Sequence, residues 1–129
     1  MNGSYLLDTN IAIAFLSREA GVKDRVEQAD EILLPCIVVG ELHFGARKSA
    51  KPRENLARIE ELTGRVVVLD CDTETARQYG TIKYALRLKG RPIPENDIWI
   101  AAISIQYDLT LVTRDTHFAE VDGLKTESW

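Results

Sequence analysis

Four carboxylates stand where a buried apolar run ends or a helical stretch begins: Asp8 in YLLDTN, Glu41 in CIVVGELHFGARKS, Asp97 in PIPENDIWIAAIS and Asp115 in LTLVTRDTHF. Each has an ordinary structural explanation. Asp8 could cap the next helix, since Asp is a favoured cap, although Asn10 is the better placed cap and would free Asp8. On a helix Glu41 shares a face with Ile37, Val38 and Gly45, an apolar and small surface where an acid needs a partner, a metal or a path for its head to water. Asp97 shares a face with Ile100, Ala101 and Ser104, and the dipole of a helix start favours an acid there. Asp115 could be a turn residue before the next segment. Brought together without a cation, four acids would repel and raise one another's pKa. Hard divalent ions take all-oxygen sites, and Mg²⁺ in particular uses few carboxylates and keeps several waters. Such a site can activate water and stabilise a phosphodiester displacement.

The elements that must carry these residues alternate. Runs rich in aliphatic and β-branched residues predict buried strands over Tyr5–Leu7, Glu31–Leu34, Arg65–Leu69 and Thr110–Thr113, with a weak fifth at Leu124–Glu127. Helical stretches fill the gaps: Asn10–Ser17, Gly21–Ala29, Cys36–Lys48, Arg53–Leu62, Thr73–Lys89 and Asn96–Tyr107. Asp72 with Thr75, and Gly90, mark the two ends of the longest helix. Gly40 and Gly45 inside a helix point to close packing or a crowded site. Strands alternating with helices predict a parallel sheet covered on both faces. Ligands in that architecture sit beyond the carboxyl ends of the strands, where the strand order reverses. Asp8 and Asp115 lie at such ends.

Length and composition bound the rest. The 129 residues fit one domain, 1–129, able to bury a core unaided. A hydrophobic fraction of 45% with 28% charged residues is that of a soluble globular protein. No basic n-region precedes an apolar run at the start, and Ile98–Ile105 is too short to span a bilayer, so the expected compartment is the cytoplasm, with no membrane partner. The net charge of −4 disfavours a non-specific nucleic-acid coat but not a nuclease with an acidic pocket and a basic rim. Cys36 and Cys71 lack CxxC partners and are expected as reduced, buried thiols, a disulfide between them being the minority alternative. His117 near the last acid is expected to pack or face solvent, since imidazole suits zinc better than magnesium. Thr113 beside Asp115 could orient a water or a ligand.

In their order and spacing, LLDTN, GELHFGA, PxxDxxIAA and LVTRDTHF followed by VDGL resemble the PIN-domain ribonucleases, above all the VapC-type toxins of toxin–antitoxin pairs. The resemblance spans Tyr5 to Trp129. It implies a three-layer α/β/α domain with a central, mainly parallel sheet of four or five strands. It implies endonucleolytic cleavage of RNA with Mg²⁺, Mn²⁺ being an alternative, and a metal set falling on Asp8, Glu41, Asp97 and Asp115. Asn10 and Thr113 would be the polar assistants. One departure is that many relatives carry Asn after the last strand and an acid a few residues on, whereas this chain reads Thr113-Arg114-Asp115-Thr116-His117. A small antitoxin and a second copy of the chain are the implied protein partners, and Phe15, Phe44 and Trp99 could be exposed at an interface or equally belong to the core. Cationic clusters at Arg47, Lys48, Lys51 and Arg53, and at Arg87, Lys89 and Arg91, suit phosphate contacts, and equally suit solvated helix ends. Arg47, Lys48, Arg91 and Arg114 are the expected RNA contacts. The competing readings are a catalytically degenerate or receiver-like module that binds protein, and a phosphatase. A receiver needs a paired acid behind the first strand and a Lys after a late one; a phosphatase needs DxD, and the chain reads Asp8-Thr9-Asn10.

Overall fold

The computed structural model describes residues 3–129. Its frame is a five-stranded sheet in the order β3-β2-β1-β4-β5, with every neighbouring pair parallel. The strands are β1 (Ser4–Leu7), β2 (Glu31–Pro35), β3 (Val67–Leu69), β4 (Thr110–Val112) and β5 (Thr126–Glu127). Helices α1 (Thr9–Leu16), α2 (Ala20–Gln28), α3 (Cys36–Arg47), α4 (Pro52–Thr63), α5 (Thr73–Lys89) and α6 (Glu95–Gln106) make the crossovers, and a short 3-10 turn (Thr116–Glu120) joins β4 to β5. Successive strand residues point to opposite faces. Leu6 and Leu7 of β1 are both fully buried, as are Leu111 and Val112 of β4, so the central strands are covered on both sides. This is the expected α/β/α sandwich, with its fifth strand present and its sheet wholly parallel.

Local chemistry sets the element ends. Pro52 opens α4 at a position where its missing N–H loses nothing. Asp72 and Thr75 form a capping box at the head of α5, and Gly90, at φ 68°, closes the helix in the left-handed conformation. β3 begins at Val67, later than the apolar run suggests. The N–H groups of Arg65 and Val66 both donate to Leu62 C=O, completing the end of α4 instead of entering the ladder. Thr113 lies past β4 but adds one ladder bond, its N–H donating to Glu127 C=O at 3.0 Å or less (2.9 Å).

Three other expectations are corrected. Gly40 and Gly45 of α3 are not close-packed: an added methyl at either would meet no atom within 4 Å. The cysteines are not a buried pair: Cys71 is exposed in the loop after β3, and Cys36 is half-buried as the first residue of α3, directly after β2. Of the three candidate interface aromatics, only Phe44 is exposed; Phe15 packs against the core and Trp99 stacks on Tyr79, ring centroids 4.1 Å apart. Among the described residues no helix is long and apolar enough to cross a membrane.

Candidate active site

β1 has β2 on one side and β4 on the other, so the strand order reverses at the β1–β4 pair. The crevice beyond that point is where a doubly wound sheet binds its ligand. Asp8 follows β1, and Thr113 and Asp115 follow β4, on the two sides of it. The Asp8 N–H donates to Val112 C=O at 3.0 Å, which fixes the two strand ends against each other.

Asp8 is itself the N-cap of α1; Asn10 is not. The helix begins at Thr9, so Asn10 falls inside the first turn, too late to cap. Asp8 keeps an extended backbone while its C=O accepts from Ile11 and Ala12 at 3.1 and 3.0 Å. Its Oδ1 accepts from Thr9 N–H at 2.8 Å and its Oδ2 from Thr113 Oγ1 at 2.6 Å. The side chain is buried, 5% exposed as a residue. Burial pushes its pKa up against the pull of the Thr113 and Thr9 hydrogen bonds, and Glu41 and Asp115 add to the rise. Oδ1 retains a further lone pair, so capping leaves Asp8 able to ligate. Asn10 bridges instead: its amide lies 3.4 Å from Asp8 Oδ2, and its Oδ1 accepts from the Arg114 N–H at 3.3 Å.

Helix α3 brings Glu41 in from the other side, its Oε1 accepting from Thr9 Oγ1 at 2.8 Å. Helix α6 delivers Asp97 in its first turn, on a helix whose Ile98 and whole Ile100–Ser104 stretch are buried. The Asp97 side chain is 14% exposed, and its pKa is pushed up to about 6. Desolvation is the main cause, followed by the charges of Asp115 and Asp8; His117 opposes the rise and Glu41 adds a little. Asp115 caps the 3-10 turn, accepting from His117 N–H at 2.9 Å, while its own N–H donates to Thr113 Oγ1 at 3.0 Å. Thr113 therefore connects the first acid to the last. Asp97 feels the charges of Asp115, Asp8 and Glu41, and Asp8 those of Glu41 and Asp115.

Two residues join the site beyond the sequence expectation. His117 is exposed, as expected of a surface residue, yet its Nδ1 lies 2.9 Å from Asp115 Oδ1 and 3.6 Å from Asp97 Oδ2. One ligand atom each from Asp97, Asp115 and His117 falls within 4.8 Å of the others, a spacing that suits a cation. Thr9 positions Glu41, and the only sequence sign of it is a hydroxyl beside the first acid. The cations divide. Arg47 and Arg91 are exposed and take part in no ion pair among the described residues, while Lys48 lies over the Phe44 ring, 4.9 Å from its centroid. Arg114 is committed within the fold: its guanidinium pairs with Glu19 and donates to Trp129 C=O at 2.9 Å.

A crowded oxygen-rich donor set, with an acid pushed up toward neutral pH by burial and then by its acidic neighbours, suits a hard divalent cation. A PIN domain profile matches residues 5–124. The chain belongs to the PIN-domain family. It is 39% identical over 128 residues to Ribonuclease VapC2 of Haemophilus influenzae, with 97% of each chain covered. It is 37% identical to the tRNA(fMet)-specific endonuclease VapC of Shigella flexneri, with the same coverage. Among solved structures it is similar to the VapBC complex of Salmonella typhimurium bound to DNA, at TM-score 0.92 and 32% identity, covering 100% of this chain and 99% of that one.

Proposed function

We propose that this chain is a divalent-metal-dependent endoribonuclease, the toxin of a toxin–antitoxin pair. The observation that carries the reading is the meeting of Asp8, Glu41, Asp97 and Asp115 at the strand-order reversal of a PIN domain. VapC ribonucleases as relatives supply the substrate class. Asp8, Glu41, Asp97 and Asp115 are the residues that would hold Mg²⁺ or Mn²⁺. When bound, such an ion lowers the pKa of water and offsets charge on a phosphoryl oxygen. The protein's own part is to position the acids. Thr113 fixes Asp8 and Asp115, Thr9 fixes Glu41, and His117 spans Asp115 and Asp97. Arg47, Lys48 and Arg91 would hold RNA by its phosphates, which sets position without reading sequence.

Hydrolysis by water leaves a 5′-phosphate and a 3′-hydroxyl; attack by the 2′-hydroxyl would leave a cyclic phosphate. End-group analysis of the fragments distinguishes these. Initiator tRNA is the first substrate to try, because relatives of Shigella flexneri and Salmonella typhimurium carry that specificity in their names. The apolar groove of about 270 Å³ next to Glu41, lined by Ile13, Leu16, Leu42 and Ile59, supports docking of a small antitoxin. Exposed Ile13 and Phe44 border it or lie on its helix. A homodimer in the cytoplasm, where RNA is available, completes the reading.

A further inference from the structure

Pro35 and Leu69 are paired residues on neighbouring parallel strands, β2 and β3. Both segments leave the sheet at the same edge, one into α3 at Cys36, the other through Cys71 toward α5. Two cysteines 35 positions apart in sequence are thereby brought to an Sγ–Sγ separation of 4.0 Å. A disulfide needs about 2.0 Å between sulfurs, so closure requires an approach of about 2 Å. Cys71 is exposed, so a small oxidant reaches it, and Cys36 waits beside it.

We infer that Cys36 and Cys71 form an intramolecular disulfide in the presence of a low-molecular-weight disulfide oxidant, fastening the head of α3 to the segment between β3 and α5. The Cys71 thiolate attacks one sulfur of the oxidant, forms a mixed disulfide and expels one thiolate. The Cys36 thiolate then attacks the Cys71 sulfur and expels the second. The protein gives up two protons and two electrons, and the oxidant leaves as two thiols. Burial, the adjacent Cys36 thiol, and the Asp70 and Asp72 carboxylates push the Cys71 thiol up to about 11. Closure is therefore slow at neutral pH and accelerates as pH rises, since only the thiolate attacks. Closing a loop of this length removes much chain entropy from the unfolded state.

The test incubates the full reduced chain with oxidised glutathione at mildly alkaline pH, then measures intact mass without reductant and melting temperature. The expected product is a monomer lighter by two hydrogens, with Cys36 and Cys71 in one crosslinked peptide. Its melting temperature should rise by on the order of 10 °C, reversed by dithiothreitol. Cys36→Ser and Cys71→Ser should each end with a single glutathione adduct and no such rise. A wild-type chain carrying two adducts, a disulfide-linked dimer through Cys71, or a closed monomer that melts no higher would overturn the inference.

Discussion

Asp8 shows how one side chain serves fold and chemistry together. Its carboxylate ends β1, caps α1 and faces the other acids, with Thr113 Oγ1 at 2.6 Å holding it in register. Thr113→Val would strip that bond and also leave Asp115 N–H without its acceptor. Unmade buried bonds of this kind cost about 1–3 kcal/mol, so denaturant unfolding should show a loss of that order. Asp97 makes a pH prediction for the metal-free protein. Unfolded, it releases its proton near 3.8; folded, it keeps the proton up to about 6. Between those values the folded chain binds more protons, so this residue lowers stability as pH rises, and the cost is complete above pH 6. The cost is at most about 3 kcal/mol. Melting in EDTA should therefore show Asp97→Asn gaining on the wild type from pH 4 to pH 6 and staying ahead above it. Equal melting of the two at pH 7 would show that burial and the neighbouring acids do not hold the Asp97 proton as described. The four acids were legible because carboxylates at strand ends and on apolar helix faces stand out. Thr9 and His117 were not, since their roles depend on which loops meet across the sheet.

At the scale of elements, α5 was readable to its last residue because the signals at its ends are local: the Asp72–Thr75 box and Gly90. β3 and α1 were readable only in part. Arg65 and Val66 look like strand, yet their N–H groups are taken by Leu62. Asn10 looks like a cap, yet Asp8 starts the helix first. In both cases a short-range hydrogen bond outweighs residue preference, and sequence patterning does not say which bond wins. The glycines of α3 misled differently. They suggested crowding, but open space surrounds Gly40, which is exposed and helical. Gly40→Ala should then stabilise the protein by roughly 0.5–1 kcal/mol through the unfolded chain's lost freedom. A higher melting temperature with unchanged cleavage is the expected result, and destabilisation would mean that α3 is packed against something at Gly40.

For the whole molecule, the alternation of strands and helices gave the parallel sheet, while the order β3-β2-β1-β4-β5 became visible only in three dimensions. That order sets the ends of β1 and β4 side by side, with Asp8 and Asp115 following them, and Ile13 and Phe44 are exposed, at 51% and 66%. Sedimentation equilibrium of the purified chain should return twice 14.5 kDa; a monomer at high concentration removes the homodimer from the proposal. The central claim, that the acid cluster works as a metal-dependent nuclease centre, is tested most directly by RNA cleavage with Asp8→Asn beside the wild type. The replacement keeps size and polarity and removes one charge from the donor set. Wild-type cleavage should stop in EDTA and return with Mg²⁺ or Mn²⁺. Asp8→Asn should cleave orders of magnitude more slowly while its circular dichroism and melting remain those of a folded chain. Full cleavage in EDTA, or by folded Asp8→Asn, would contradict the account.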